Sequence, residues 1–286
     1  MHVAVVSSID NCRKISEDIW LASSLRKTNI DADIVAWDDC SIDWEKYNGA
    51  VLRSVWNYPA KYDLFSEWLD KLDSKKIPLI NDTNMVRWNI RKDLQFATLN
   101  DMKLPIFPYV ISNSSDINCT SIAQELDTDT FVIKPVISNS GKNTFIIDLN
   151  NQKDLARIKD DTHQFIVQPF IENIKNGEYA LVFINGKYSH AAIRFPGIFT
   201  EKQSPMQVNK IDIPESILSL AMKCSSNMKS YFGKFPAYAR YDIVDGYIME
   251  VELAEPDLMT RTIQNLPERE YIIGNLAKTI AKRIEK

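Results

Sequence analysis

The sequence predicts a mixed α/β protein in which an N-terminal parallel-sheet subdomain precedes two α+β subdomains. Up to about residue 83, short apolar strands alternate with amphipathic helices, which is typical of βαβ units. Later strands follow one another directly, and Asn185-Gly186 and Asp245-Gly246 are two-residue turns of the kind that tight antiparallel hairpins prefer. We expect subdomains at residues 1–83, 84–167 and 168–286.

The composition predicts a cytoplasmic protein with no membrane or nucleic-acid partner. Of the 286 residues, 45% are hydrophobic and 25% are charged, which is ordinary for a globular chain. The net charge is −4 without a basic block, which argues against nucleic acid. The sequence has neither a signal-peptide pattern nor an apolar run near the roughly 20 residues that span a bilayer. Its 4 cysteines and 3 histidines are scattered, which argues against a zinc site.

The first subdomain is predicted to contain strands at 2–7, 33–37, 49–53 and 77–81 and helices at 12–27 and 62–72. No glycine-rich loop follows the first strand, so the usual dinucleotide site is excluded. Arg53 and Trp56 follow the third strand, at the edge where open α/β sheets bind ligands. Arg53 is therefore a candidate anchor for a substrate carboxylate. Trp56 either holds a flat or aliphatic substrate group or packs the joint between subdomains.

The remaining elements are predicted from apolar periodicity and turn residues. A long helix is expected at 84–102, before two prolines. Residues 195–209 form a polar loop long enough to act as a mobile lid. Helices are expected at 214–231 and 268–284. The predicted strands lie at 131–135, 144–148, 165–168, 179–184, 188–195, 239–244 and 247–253.

The last hairpin carries an unusual set of charges. Arg240 and Asp242 share one face of its first strand, and Glu250 and Glu252 share one face of its second, since side chains alternate along a strand. Pairing brings the two faces together, and like charges opposite one another destabilise a sheet. A divalent cation such as Mg²⁺, which takes carboxylate oxygens, removes this repulsion. The alternative is a solvated face on which Arg240 pairs with one of the acids.

Two upstream segments suit the binding of a nucleotide. Lys134 ends an apolar strand and is followed by a loop of small residues at 138–141. A lysine on a strand offers phosphate a fixed positive charge, and a small-residue loop lets backbone N–H groups approach phosphate oxygens. The extended segment 166–171 offers backbone groups to a base, and Glu178 offers an acid to ribose hydroxyls.

The order and spacing of these segments resemble the ATP-grasp superfamily of carboxylate–amine ligases. The nearest subgroup is the one that contains the D-cycloserine biosynthesis ligase. The resemblance covers nearly the whole chain and implies the ATP-grasp fold, in which ATP lies between two α+β subdomains. The segments that carry it are LRSVWNYP, RWNIRKDL, FVIKPVISNSGKNT, QPFI followed by Gly-Glu, YSHAAIRFP and YARYD…MEVELAEPD.

The resemblance also implies which residues bind ATP. Those that match the phosphate-binding positions are Lys92, Lys134, Ser138, Ser140 and Gly141. Those that match the adenine and ribose positions are Gln168, Phe170, Ile171 and Glu178. The implied contact to the γ-phosphate is Arg194.

By the same resemblance, the last hairpin binds a metal ion and stabilises the reaction. Arg240 matches the arginine that stabilises the transferring phosphoryl group and the tetrahedral intermediate. Beyond the hairpin, Arg261 either contacts the substrate or only caps the next segment. The residues that match the ligands of Mg²⁺ or Mn²⁺ are Asp242, Glu250 and Glu252.

The implied function is that of a Mg²⁺- and ATP-dependent ligase. It would activate a small, amino-acid-like carboxylate as an acyl phosphate and join it to an amine, releasing ADP and phosphate. A kinase on the same fold and a nucleotide-binding module without turnover are the alternatives. The expected partners are small-molecule carboxylate and amine substrates, and the resemblance also implies a homodimer.

Overall fold

The structure is a computed structural model that describes residues 1–113, 117–139, 141–151, 164–195 and 212–285. Within these residues, three four-stranded sheets form the framework and helices cover them. Ser140 and residues 196–209 of the expected lid lie outside the described residues.

The described strands are β1 His2–Ser7, β2 Asp31–Ala36, β3 Gly49–Leu52, β4 Leu79–Ile80, β5 Val110–Asn113, β6 Thr130–Pro135, β7 Phe145–Asp148, β8 Gln164–Pro169, β9 Glu178–Ile184, β10 Lys187–Arg194, β11 Tyr238–Val244 and β12 Tyr247–Glu252. The described α-helices are α1 Ser16–Arg26, α2 Tyr62–Ser74, α3 Thr83–Asn89, α4 Lys92–Asp101, α5 Cys119–Leu126, α6 Glu215–Phe232 and α7 Leu266–Ile284.

The N-terminal sheet has the strand order β2-β1-β3-β4 and is parallel throughout, as its alternating elements predict. One face packs on α1 and α7 in a core that includes Val3 and Val5 and extends to Val182 of β9. The other face packs on α2, where Phe65 lies edge-on to Trp37. Both faces are buried, which is why β1 and β3 are almost entirely apolar.

The other two sheets are antiparallel. The central sheet has the order β5-β8-β6-β7 and packs on α5 around Phe131 and Phe165. The sequence analysis did not predict β5 or α5, because segments of 4 and 8 residues give a periodic pattern few positions to show itself. The C-terminal sheet has the order β10-β9-β11-β12, and α6 covers the face that carries Phe183 and Tyr241.

The single helix predicted at 84–102 is in fact two helices. α3 ends at Asn89, and Arg91 is extended (φ −114°, ψ 103°) before α4 begins at Lys92. The break is held from outside the helix, because the Lys92 backbone N–H donates to the Val136 carbonyl at 3.0 Å. It places Asn89 and Lys92 side by side next to the C-terminal sheet.

Both predicted hairpin turns are confirmed. Asn185 and Gly186 have φ of 49° and 76°, and Asp245 and Gly246 have φ of 51° and 78°. Positive φ at both central residues is the mark of the type I′ turn. The two glycines differ in their surroundings. A Cβ on Gly186 would lie 2.4 Å from Cδ1 of Phe235, whereas one on Gly246 would meet nothing within 4 Å.

We expect Gly186→Ala to destabilise the protein more than Gly246→Ala. Both changes put a Cβ at positive φ, which costs about 1–2 kcal/mol. Only the first also forces overlap with Phe235, which adds about 1–3 kcal/mol. Chemical denaturation followed by tryptophan fluorescence measures both losses of unfolding free energy. Equal losses would contradict the clash, since the ring would then move aside at no cost.

Candidate active site

Strands β11 and β12 bring the predicted acidic face together. Arg240 lies opposite Glu252 and Asp242 lies opposite Glu250 in the antiparallel register. One carboxylate oxygen from each of the three acids lies within 4.8 Å of the other two. The shared face predicted from side-chain alternation is therefore confirmed, and its acids form a single cluster.

Arg240 is the buried cation of this acid cluster, with 1% of its surface exposed. Its Nε and Nη2 donate to Oδ1 and Oδ2 of Asp242, each at 2.8 Å, and Nη2 also donates to Oε1 of Glu252 at 2.6 Å. Its Nη1 donates to the Asp257 carbonyl at 3.1 Å. A two-point guanidinium–carboxylate contact fixes direction as well as charge, so Arg240 orients two of the acids.

Cations from neighbouring elements surround the acids. Arg194, at the end of β10, donates from Nη1 to Oδ2 of Asp242 at 2.9 Å. The same nitrogen lies 3.1 Å from Oε1 of Glu178, at the start of β9. Lys92, at the start of α4, pairs with Glu250. Four strands, β9 to β12, and helix α4 thus converge on the acid cluster.

The pKa values show how strongly these charges interact. Burial, and next the charge of Lys92, lowers the pKa of Lys134 to about 8. Burial opposes ionisation of Glu250, but Lys92 and Lys134 outweigh it and hold the pKa of Glu250 at about 2. Burial raises the pKa of Glu178 and of Glu252 to about 7, and neighbouring acids reinforce the effect. Burial therefore opposes ionisation of Glu178 and Glu252, whereas the lysines hold Glu250 ionised.

A glutamine side chain seals the free edge of β12, which is the outer strand of its sheet. Gln95 of α4 is fully buried and binds both backbone groups of Val251. Its Nε2 donates to the carbonyl at 2.9 Å, and its Oε1 accepts from the N–H at 2.8 Å. Val251 lies between Glu250 and Glu252, so Gln95 fixes the backbone that carries both acids.

Asn89 of α3 extends this seal. Its Nδ2 donates to the Val251 carbonyl, and its Oδ1 accepts from the N–H groups of Leu253 and Ala254 at 2.8 and 2.9 Å. Neither Asn89 nor Gln95 is among the residues predicted from the sequence, because a polar side chain within a helix carries no periodic signal. Their role is visible only once the strand lies beside them.

Apart from Lys92, Glu178 and Arg194, the described residues matched to the nucleotide lie on the central sheet and the segments that leave it. Ser138 is buried, and its hydroxyl donates to the last carbonyl of β6 at 2.9 Å. Gly141 has φ of 68° with open space around it. Gln168 is buried on β8, and Phe170 and Ile171 follow that strand half-buried. Their assignment to ATP stays a prediction.

The three candidate substrate contacts, Arg53, Trp56 and Arg261, all donate hydrogen bonds to residues 255–257, which follow β12. Arg53 is 5% exposed and donates from Nη2 to the Pro256 carbonyl at 3.1 Å. Its Nη1 has no partner in the described part of the chain. Trp56 donates from Nε1 to the Glu255 carbonyl at 3.4 Å. Arg261 forms two hydrogen bonds to the carboxylate of Asp257, each at 2.7 Å. Their substrate roles stay predictions.

Glu255 is a site residue that the sequence analysis missed. It lies on the same segment and lines a polar pocket beside the acid cluster. Burial, and next the charge of Glu252, raises the pKa of Glu255 to about 8. Its spacing from Glu252, E-x-x-E, is the signal by which the sequence points to it. The other residues that line the pocket are Tyr58, Asn89, Lys92, Ser138, Asn139, Glu250 and Glu252.

Comparison with known proteins decides the family. Residues 103–267, more than half of the chain, match the family model for the ATP-grasp domain of prokaryotic glutathione synthetase. The chain belongs to the ATP-grasp family. Residues 3–81 match the model for the N-terminal domain of the D-cycloserine synthetase DcsG. The resemblance found in the sequence, including the nearest subgroup, is confirmed.

Known ATP-grasp proteins match nearly the whole chain. The cycloserine biosynthesis protein DcsG of Streptomyces lavendulae is 25% identical over an alignment of 287 positions that covers 93% of each chain. The crystal structure of D-cycloserine synthetase DcsG matches with a TM-score of 0.83 and 22% identity, covering 99% of this chain and 100% of that one. D-alanine–D-alanine ligase from Bacillus anthracis, complexed with ATP, matches with a TM-score of 0.72 and 15% identity, covering 100% and 97%. The predicted ATP-grasp fold is confirmed.

Membership of the ATP-grasp family gives the class of reaction. The protein is an ATP-dependent carboxylate–amine ligase, an enzyme that forms C–N bonds. Among the helices that the structure describes, none combines the length and the apolar character needed to cross a membrane.

We expect Gln95→Leu to lower the free energy of unfolding by about 1–3 kcal/mol. The buried Val251 N–H loses its acceptor, whereas the carbonyl keeps its contact with Asn89. Asn100→Leu, which removes an exposed amide from the same helix, is the matched control and should change stability by less than about 0.5 kcal/mol. Denaturant titration compares the two. A loss no larger than that of the control would contradict the role of Gln95.

Proposed function

We propose that this ATP-grasp protein is a Mg²⁺-dependent ligase of small, amino-acid-like carboxylates. The observation that carries the proposal is the acid cluster around Arg240, with Lys92 and Arg194 bound to it. Carboxylates suited to a metal ion and cations suited to phosphate share one surface. The relatives named for D-cycloserine and for D-alanine support an amino-acid-like acid.

The three acids fit Mg²⁺, because this ion prefers hard oxygen ligands and commonly binds to one or two carboxylates together with phosphate oxygens. Asp242, Glu250 and Glu252 present such oxygens within 4.8 Å of one another. When bound, the ion would neutralise charge on the transferring phosphoryl group. Mn²⁺ takes the same ligands and is the alternative ion.

The cationic side chains support binding of the triphosphate. We assign Lys92 and Lys134 to the α- and β-phosphates and Arg194 to the γ-phosphate. Glu178 lies 3.1 Å from Arg194, although ribose and γ-phosphate are at opposite ends of the triphosphate. We therefore propose that Glu178 orients Arg194 in this conformation, while its contact to ribose stays a prediction.

The reaction needs no covalent bond to the protein. A carboxylate oxygen of the acid attacks the γ-phosphorus of ATP, the bond to the β-phosphate oxygen breaks, and ADP leaves. The amine nitrogen then attacks the acyl carbon, the bond to phosphate breaks, and the nitrogen loses a proton. Arg240 stabilises negative charge in both steps, since positioned cations supply most of such catalysis.

Several finer assignments belong to the same proposal. Arg53, Trp56 and Arg261 are the candidate contacts to the substrates. The loop with Ser138, Ser140 and Gly141 covers the phosphates, and the segment with Gln168, Phe170 and Ile171 contacts adenine. The cytoplasmic location and the homodimer stay predictions from the sequence.

The function is tested by ADP release from ATP and Mg²⁺ across a panel of amino acids and other small carboxylates, with hydroxylamine as the amine. We expect one acid to stimulate ADP release and to yield its hydroxamate, because hydroxylamine traps the acyl phosphate. ADP without hydroxamate would indicate a kinase. Nucleotide binding without turnover on any acid would indicate a binding module.

The metal assignment is tested by Asp242→Asn. We expect the Mg²⁺ concentration for half-maximal ADP release to rise at least tenfold, about 1.4 kcal/mol, because one anionic ligand is lost. Binding of Mn²⁺, followed by electron paramagnetic resonance, should weaken in parallel. Asp245→Asn makes the same chemical change in the turn of the same hairpin and should leave both unchanged. Unaltered metal binding by Asp242→Asn would overturn the assignment.

A further inference from the structure

Glu255 is a carboxylate for which the proposed reaction has no use so far. It lines the polar pocket next to the acid cluster, together with Glu250 and Glu252. The same pocket is bounded by Tyr58 and Asn139, on the side of the N-terminal sheet and the phosphate loop. A ligand in it would lie directly beside the place where the carboxylate is activated.

The other site acids each have a cationic partner. Glu250 pairs with Lys92, whereas Asp242 and Glu252 share Arg240. Among the described residues, no Lys, Arg or His nitrogen pairs with Glu255 in the same way. The neutral side chains of Asn139 and Tyr58 line the pocket beside it. Glu255 therefore gives the pocket an anionic wall, and the lysine that lines the pocket, Lys92, pairs with Glu250 instead.

The pocket also contains an acceptor without a donor. The Nδ2 of Asn139 donates to the Trp56 carbonyl at 3.0 Å, which fixes which way the amide faces. Its Oδ1 is buried and has no donor within the described part of the chain. An orphaned amide oxygen and an unpaired carboxylate both require a donor, and a positively charged donor satisfies both.

We propose that Glu255 binds a protonated amino group of the substrates, with the amide oxygen of Asn139 as a second acceptor. An ammonium group has three N–H donors and no acceptor, which matches this wall. The inference rests on the proposed function and narrows its substrates to those that carry a cationic nitrogen, either on the activated acid or on the incoming amine. In an α-amino acid, this contact would also direct the carboxylate towards the acid cluster.

Calorimetry on the full chain with ADP and Mg²⁺ tests this without turnover. The probes are matched pairs, namely glycine and acetate, alanine of either configuration and propionate, and serine of either configuration and 3-hydroxypropionate. Wild type should bind the amino acid of at least one pair roughly 10- to 100-fold more tightly, as a charged hydrogen bond predicts. Glu255→Gln should abolish this preference, and Glu255→Asp should keep part of it.

Ethylamine identifies the source of the cation. If the incoming amine carries the cationic nitrogen, the two members of each probe pair bind with equal affinity. Glu255→Gln then weakens the binding of ethylamine instead. Glu270→Gln removes an exposed carboxylate from α7 and is the matched control, and circular dichroism checks that each variant is folded. The proposal is overturned if neither the pairs nor ethylamine depend on Glu255.

It is also overturned if Glu255→Gln weakens both members of a pair equally and raises the Mg²⁺ requirement, since Glu255 would then be a metal ligand. Failure of the proposed function is a separate result. It would appear as the absence of hydroxamate from every acid, whether or not the binding preference is present.

Discussion

The buried contact between Arg240 and Asp242 is the interaction on which the site depends. Removing a guanidinium and a carboxylate from water costs several kcal/mol per ion unless each satisfies the other. Here Arg240 donates two hydrogen bonds to Asp242 on the same strand, β11, and a further one to Glu252 on β12. The acids are thus held in place before any ligand arrives. Arg194 attaches β10 to the same carboxylate, so two hairpins share one electrostatic centre.

The acids of the site can pair with three kinds of cation. Its own lysines and arginines pair with the acids, while burial, reinforced by Glu250 and Asp242 and opposed by Arg240, raises the pKa of Glu252. In our proposals the acids bind a metal ion, the lysines and arginines bind the phosphates of ATP, and Glu255 binds an ammonium group. One surface then discriminates among ligands by charge alone, before shape has any effect.

Sequence reasoning found the parts of the site that follow local rules. Alternation along a strand grouped Arg240 with Asp242 and Glu250 with Glu252, but it did not predict the register shift between Asp242 and Ile243 that brings the two groups onto one face. It did not find Gln95, because its partner Val251 is more than 150 positions away in the chain. The helix break after Asn89 was not predicted for the same reason, since the carbonyl of Val136, which is distant in the chain, stabilises it. Local periodicity carries no information about such partners.

The amide-sealed edge of β12 has a consequence for association between molecules. An outer strand with free N–H and C=O groups invites a foreign strand to pair with it, which is a common route to aggregation. Gln95 and Asn89 occupy those groups on β12 from within the chain. Helix–strand contacts here replace the charged or proline residues that often protect edges. The sheet can therefore keep a row of carboxylates on its last strand without offering that strand to a neighbour.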